Sequence, residues 1–86
     1  MNISKAEQRV LHALARGGAI LALRAPNGKV LSVDCLTREG WRIADGTLPV
    51  FRKLKRKGFV ASSEGGPYRL TRHGRLAVRA QPDNRA

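Results

Sequence analysis

The chain has 86 residues, enough for one domain with one compact core and too few for two. Seventeen Lys and Arg against six Asp and Glu give a formal net charge of +11, and 42% of the residues are apolar, so this is a folded cationic domain rather than a disordered segment. An apolar run of about 18 residues and a signal-peptide core are both missing, and the single Cys35 excludes an intrachain disulfide and a Cys-based zinc site; the chain is expected to be cytoplasmic, with no membrane role and no cofactor.

Ser4-Lys5-Ala6-Glu7 reads as a capping box, with the Ser4 hydroxyl accepting from the Glu7 amide and the Glu7 carboxylate reaching back to the Ser4 amide. Ala6, Val10, Ala13 and Leu14 recur behind it at helical spacing, with Leu11 at the edge, and Gly17-Gly18 supplies a stop. A helix is predicted over 5–16, with Lys5, Arg9, His12 and Arg16 outward. Residues 19–25 and 29–35 follow as strands around Pro26-Asn27-Gly28, where Pro26 and Asn27 suit a type I turn and Gly28 the left-handed position after it. Apolar residues on both faces of this hairpin predict one face on the core and the other partly covered. Cys35 reads as a small buried hydrophobe.

Residues 37–46 hold a turn or a short helix at Thr37-Arg38-Glu39-Gly40, then Trp41, Ile43 and Ala44, then the break at Asp45-Gly46. A winged helix places its shortened second helix here, and a lone Trp in so short a domain is expected in the core.

Thr47 reads as the N-cap of a helix over 47–57, with Pro49 in its first turn. Leu48, Phe51 and Leu54 step along one side, and Phe59 follows beyond the Gly58 stop; Arg52, Lys53 and Arg56 lie opposite, flanked by Lys55 and Lys57. A second hairpin joins 59–63 to 68–70 through Glu64-Gly65-Gly66-Pro67. Thr71 caps a last helix over 72–80, which carries Arg72, Arg75 and Arg79 on one face and His73, Leu76, Ala77 and Ala80 on another. Residues 81–86 read as a flexible tail.

The charge is uneven. Residues 47–79 carry nine basic side chains and one acidic one, against seven and four in residues 1–46. A basic helix leading straight into a glycine-tipped hairpin is the pattern of a winged helix-turn-helix, in which the helix enters the major groove and the hairpin touches the neighbouring backbone. The fold predicted is therefore α+β, a single winged helix-turn-helix domain over 1–80 with two β-hairpins and three to four helices.

The chain also resembles the YjhX-like family of small bacterial proteins, described as toxins of toxin–antitoxin pairs. The resemblance runs through Ser4 and Glu7-Gln8-Arg9, Leu11-His12, Leu14-Ala15 and Gly17-Gly18, then Arg38-Glu39-Gly40, Ala44-Asp45, Thr47-Leu48, Val50-Phe51 and Lys53-Leu54-Lys55. It closes with Pro67-Tyr68-Arg69, Gly74, Ala77-Val78-Arg79-Ala80-Gln81 and Asp83-Asn84-Arg85, while Pro49 stands where the pattern has Ala. It implies a winged-helix fold and a role in growth inhibition, and it links the family to inhibition of a DNA topoisomerase.

The functional reading is a protein that binds double-stranded DNA, mainly through its backbone, and is not an enzyme. Arg52, Lys53, Lys55, Arg56 and Lys57 form the expected phosphate track, extended by Arg69, Arg72, Arg75 and Arg79. Only Arg52 and Lys53 stand near enough to the helix start to reach base edges, so sequence preference is modest. The wing tip has no basic residue, leaving Arg69 at its base to make any wing contact. A ribonuclease would have to combine His12 and His73 with Glu7, Glu39 or Asp45, and nothing in their spacing brings them together. The alternative is an inhibitor whose basic face docks on an acidic protein, a topoisomerase or an antitoxin. A monomer, or a weak dimer through the first hairpin, is expected.

Overall fold

The computed structural model describes residues 3–80. Helix α1 (Lys5–Ala15) begins at the capping box, where the Glu7 amide donates to Ser4 Oγ and the Ser4 amide to Glu7 Oε1, each at 3.1 Å. Val10, Leu11 and Leu14 form its buried face, and Leu11, placed at the edge by sequence spacing, is 1% exposed at the centre of the core. Strands β1 (Ala19–Arg24) and β2 (Val30–Leu36) pair antiparallel through the expected turn, in which the Gly28 amide donates to the Ala25 carbonyl and Gly28 takes φ +87°.

Residues 37–46 contain no helix, and the expected second helix of a helix-turn-helix is not there. The backbone of this stretch is drawn sideways onto the end of β2. The Thr37 amide donates to the Trp41 carbonyl, Ile43 to Cys35, and Leu36 faces Arg42 in an isolated antiparallel bridge. Gly40 turns the chain with φ +93°, which a helix does not tolerate. Of the apolar side chains of this stretch, Ile43 packs on the core, and Gly46 lies close against Cys35. Trp41, expected to be buried, is 73% exposed, because the Thr37 turn holds it at the rim of the sheet.

Helix α2 (Leu48–Arg56) starts at the Thr47 cap, with Pro49 in the first turn where its missing N–H costs nothing. Strands β3 (Val60–Ser62) and β4 (Tyr68–Leu70) form the second hairpin, and β4 joins β1 through the pair Ile20 and Tyr68, giving one sheet of order β2-β1-β4-β3. Helix α3 (Arg72–Ala80) is capped by Thr71, whose Oγ1 accepts from the Gly74 amide and donates to the Gly58 carbonyl. Its inward side is Gly74, Ala77 and Val78, whereas His73 and Leu76, grouped with Ala77 on one face by spacing, are exposed. A Cβ at Gly74 would stand 2.3 Å from the Phe59 carbonyl oxygen, so the helix approaches the chain just before β3 as closely as glycine allows. The predicted tail 81–86 lies outside the described residues.

The core gathers Val10, Leu11, Leu14, Ile20, Cys35, Phe51, Leu54, Phe59, Val60 and Tyr68 on one side of the sheet. Phe51 meets Tyr68 edge to face at 4.8 Å. Strand alternation sends Leu21 and Leu23 to the opposite side, where they remain 45% and 61% exposed; that face is more open than expected. Cys35 is fully buried, and burial, with the nearby Asp34 charge, pushes its thiol up to about 11.

Candidate nucleic-acid interface

Helix α2 carries the densest charge. Phe51 and Leu54 turn inward, and the helical period then forces Arg52, Lys53, Lys55 and Arg56 into solvent. None of the four has a carboxylate partner among the described residues. Residues 46–63 contain no Asp or Glu, so the helix has no local counterion. Its last turn concentrates Lys53, Lys55 and Arg56 at the negative end of the helix dipole, which offsets part of their mutual repulsion.

The two flanks of α2 differ. On one, Lys53 and Arg56 share a depression with Ile3, Ser4, Glu7 and Lys57. Here Lys57 Nζ donates to Glu7 Oε2 at 2.7 Å, with the Glu7 side chain 3% exposed and that of Lys57 27%. Burial pushes the Glu7 carboxyl up, but the Lys57 ammonium and the Ser4 contacts outweigh it and hold it below its ordinary value. Lys57 therefore joins α2 to α1, and its ammonium faces inward toward that carboxylate rather than out along the track.

On the other flank, Arg52 and Lys55 share a depression with Gly28, Lys29 and Val30 at the tip of the first hairpin. Lys55 also lines a neighbouring cleft with Arg24, Ser62, Gly65 and Tyr68. Arg24 Nη2 donates to Tyr68 Oη at 2.8 Å, and the Arg24 guanidinium and Lys55 ammonium stand 5.7 and 5.8 Å from the centre of the Tyr68 ring.

The remaining sequence-predicted residues lie elsewhere. Arg69 pairs across from Ala61 and, one residue from the inward Tyr68, projects from the opposite face of the sheet. Arg72, Arg75 and Arg79 are exposed along α3, which packs on α1 and β4. Arg24 and Lys29 were missed from sequence because they lie in the less basic half; the signal available was one cation on each side of Pro26-Asn27-Gly28, which a hairpin brings to the same tip. The burial of Glu7 was also missed, although Val10, Leu11 and Leu14 follow it at three, four and seven residues and place it on the apolar face. His12 is half-buried on α1, and His73 lies against Phe59 with ring centres 5.2 Å apart. No three His, Cys, Asp or Glu among the described residues cluster as metal ligands, and no helix among them is long and apolar enough to cross a membrane.

Among the described residues, fold and surface together define a small α+β domain with three helices, a four-stranded antiparallel sheet and a cationic helix whose Arg52, Lys53, Lys55 and Arg56 have no carboxylate partner. Residues 1–85 match the model of the YjhX toxin family, described as "Putative toxin of bacterial toxin-antitoxin pair", and the chain belongs to that family. It is 58% identical to a UPF0386 protein of Rhodospirillum centenum over 86 residues, the whole of both chains. It is 59% identical over 85 residues to UPF0386 proteins of Caulobacter vibrioides and of a Ruegeria species, covering 99% of this chain and 93% and 100% of theirs. No solved structure matches it.

Proposed function

We propose that the chain is the toxin component of a toxin–antitoxin pair and that it acts in the cytoplasm by binding the backbone of double-stranded DNA through α2. The observation that carries this reading is the solvent-facing set Arg52, Lys53, Lys55 and Arg56, which has no carboxylate partner among the described residues. When such a surface neutralises phosphates it releases the counterions condensed on the DNA. Helix α2 runs directly into the β3–β4 hairpin, the order in which a winged helix presents helix and wing, although its usual second helix is replaced by the turns of 37–46. Arg72, Arg75 and Arg79 add a second cationic stripe on α3, and Arg69 extends the field on the far side of the sheet. Function by binding also fits the shallow, open depressions beside α2, which offer no enclosed place to assemble a reacting group.

The test is fluorescence anisotropy of a labelled mixed-sequence duplex at two salt concentrations. Binding that weakens steeply with salt, and that Arg52→Glu with Arg56→Glu abolishes, is the expected outcome. No binding at low salt overturns the reading.

A second reading is favoured by a separate observation. Leu21, Leu23, Leu31 and Trp41 are 45, 61, 54 and 73% exposed, and exposed large apolar side chains mark protein contacts. In this reading they receive the antitoxin, whose acidic surface complements the +11 chain.

A further inference from the structure

We propose that Arg24 and Lys55, gathered around Tyr68, form with Lys29 and Arg52 a phosphate-binding cleft, which makes the first hairpin the second arm of the nucleic-acid face. This rests on the reading of α2 given above and adds an element that neither the fold order nor the family description assigns.

Four observations carry it. First, the cations come from three separate places in the chain and converge. Arg24 ends β1, Lys29 follows the turn, and Arg52 and Lys55 lie on α2; Lys55 lines both adjoining depressions. Second, neither depression has a carboxylate in its lining, the exposed Glu64 beside Gly65 standing outside the second, and three of the acids are engaged elsewhere. Glu7 holds Lys57 on the other flank of α2, Asp45 holds Arg9, and Asp34 holds Arg42. Like charges brought together without a counterion repel, and an anion between them removes that repulsion.

Third, the arginine is ordered before any ligand arrives. Its guanidinium donates to Tyr68 Oη at 2.8 Å and lies 5.7 Å from the ring centre, and strand alternation from Ile20 and Ala22 puts it on the same face as Tyr68. A pre-ordered fork loses less entropy when it grips phosphate. Fourth, Tyr68 is only 4% exposed, so its ring braces the cations and leaves no stacking surface for a base. An open cleft with charged walls and no stacking platform fits a phosphodiester backbone rather than a free nucleotide, which needs a pocket for its base.

The experiment measures duplex affinity for the full chain against salt concentration, comparing Arg24→Gln with Lys29→Gln, neither of them on α2, against Arg16→Gln with Arg38→Gln. The second pair removes the same charge from exposed residues elsewhere on the surface. The cleft pair is expected to weaken binding about 10- to 100-fold and to reduce the slope of log affinity against log salt by about 2, one step per lost phosphate contact. The control pair should change affinity less than about threefold and leave the slope in place. Because Arg24 also bonds Tyr68, thermal melts accompany each variant; if the Arg24 change unfolds the chain, Lys29→Gln alone replaces the pair, with a slope change of about 1 expected. Binding by the parent that neither hairpin variant weakens beyond the control overturns the cleft and leaves α2 standing. No binding by the parent overturns both.

Discussion

Glu7 accepts from the Ser4 amide through Oε1 and from Lys57 through Oε2, so one carboxylate caps α1 and pins α2 against it. Its depressed pKa makes that contribution complete above about pH 4.5, the ordinary value, and lost as pH falls through the lower folded value. Lys57→Met removes the partner and leaves the burial. The Ser4 contacts remain but the carboxyl's pKa rises, so the stability that the parent gains as pH rises through the carboxylate range shrinks, with a loss on the order of 3 kcal/mol at neutrality. Thermal melts of both chains from about pH 3 to pH 7 check this, and parallel pH profiles would refute it. Gly74 makes a second prediction. Ala is better than Gly in a helix by about 1 kcal/mol, but here its Cβ would meet the Phe59 carbonyl oxygen at 2.3 Å. Gly74→Ala is expected to destabilise by about 1–2 kcal/mol in urea unfolding, since the backbone must shift to admit it. A stabilised variant would show that α3 is free to move away from Phe59.

Elements announced by local chemistry were legible in the sequence. The Ser4–Glu7 box, the Thr47 and Thr71 caps and the Pro26-Asn27-Gly28 turn each satisfy backbone groups within a few residues, so their signal is complete in a short window. The stretch 37–46 was not, because what decides it is a long-range partner: the end of β2 takes the backbone of 41–43 sideways, and no local pattern records that. The inward side of α3 was not legible for a related reason, since helical spacing grouped Leu76 with Ala77 while the close approach at Gly74 leaves Leu76 outward. Of the candidate site, the basic face of α2 was legible from helical period alone, while Arg24 and Lys29 needed the tertiary fold to meet it. The exposure of Trp41 is directly measurable, because it is the sole Trp. Its emission should be that of a solvated indole, readily quenched by iodide, and Trp41→Ser should change stability by no more than about 0.5 kcal/mol. A blue-shifted, protected emission would place it under a partner or a second copy of the chain.

At the scale of the whole molecule, a net charge of +11 is confined to a body with a Cα radius of gyration of 12.2 Å. The Debye length at 0.1 M salt is about 10 Å, comparable to that radius, so low salt leaves much of the self-repulsion unscreened. Folding draws these charges together and the unfolded chain disperses them, so salt should raise Tm. A rise of about 5 °C between roughly 20 mM and 300 mM NaCl corresponds to about 1 kcal/mol for a domain of this size. Screening saturates once the Debye length is shorter than the spacing between charges, whereas salt acting through apolar burial continues to stabilise as more is added. A plateau therefore identifies repulsion as the cause. Arg52→Glu with Arg56→Glu lowers the net charge from +11 to +7 and takes it from the helix with no local counterion. That variant should melt higher than the parent at low salt and depend less on salt, while losing the duplex. If it melts lower instead, those arginines hold the fold together, and their lack of carboxylate partners would no longer argue for a ligand.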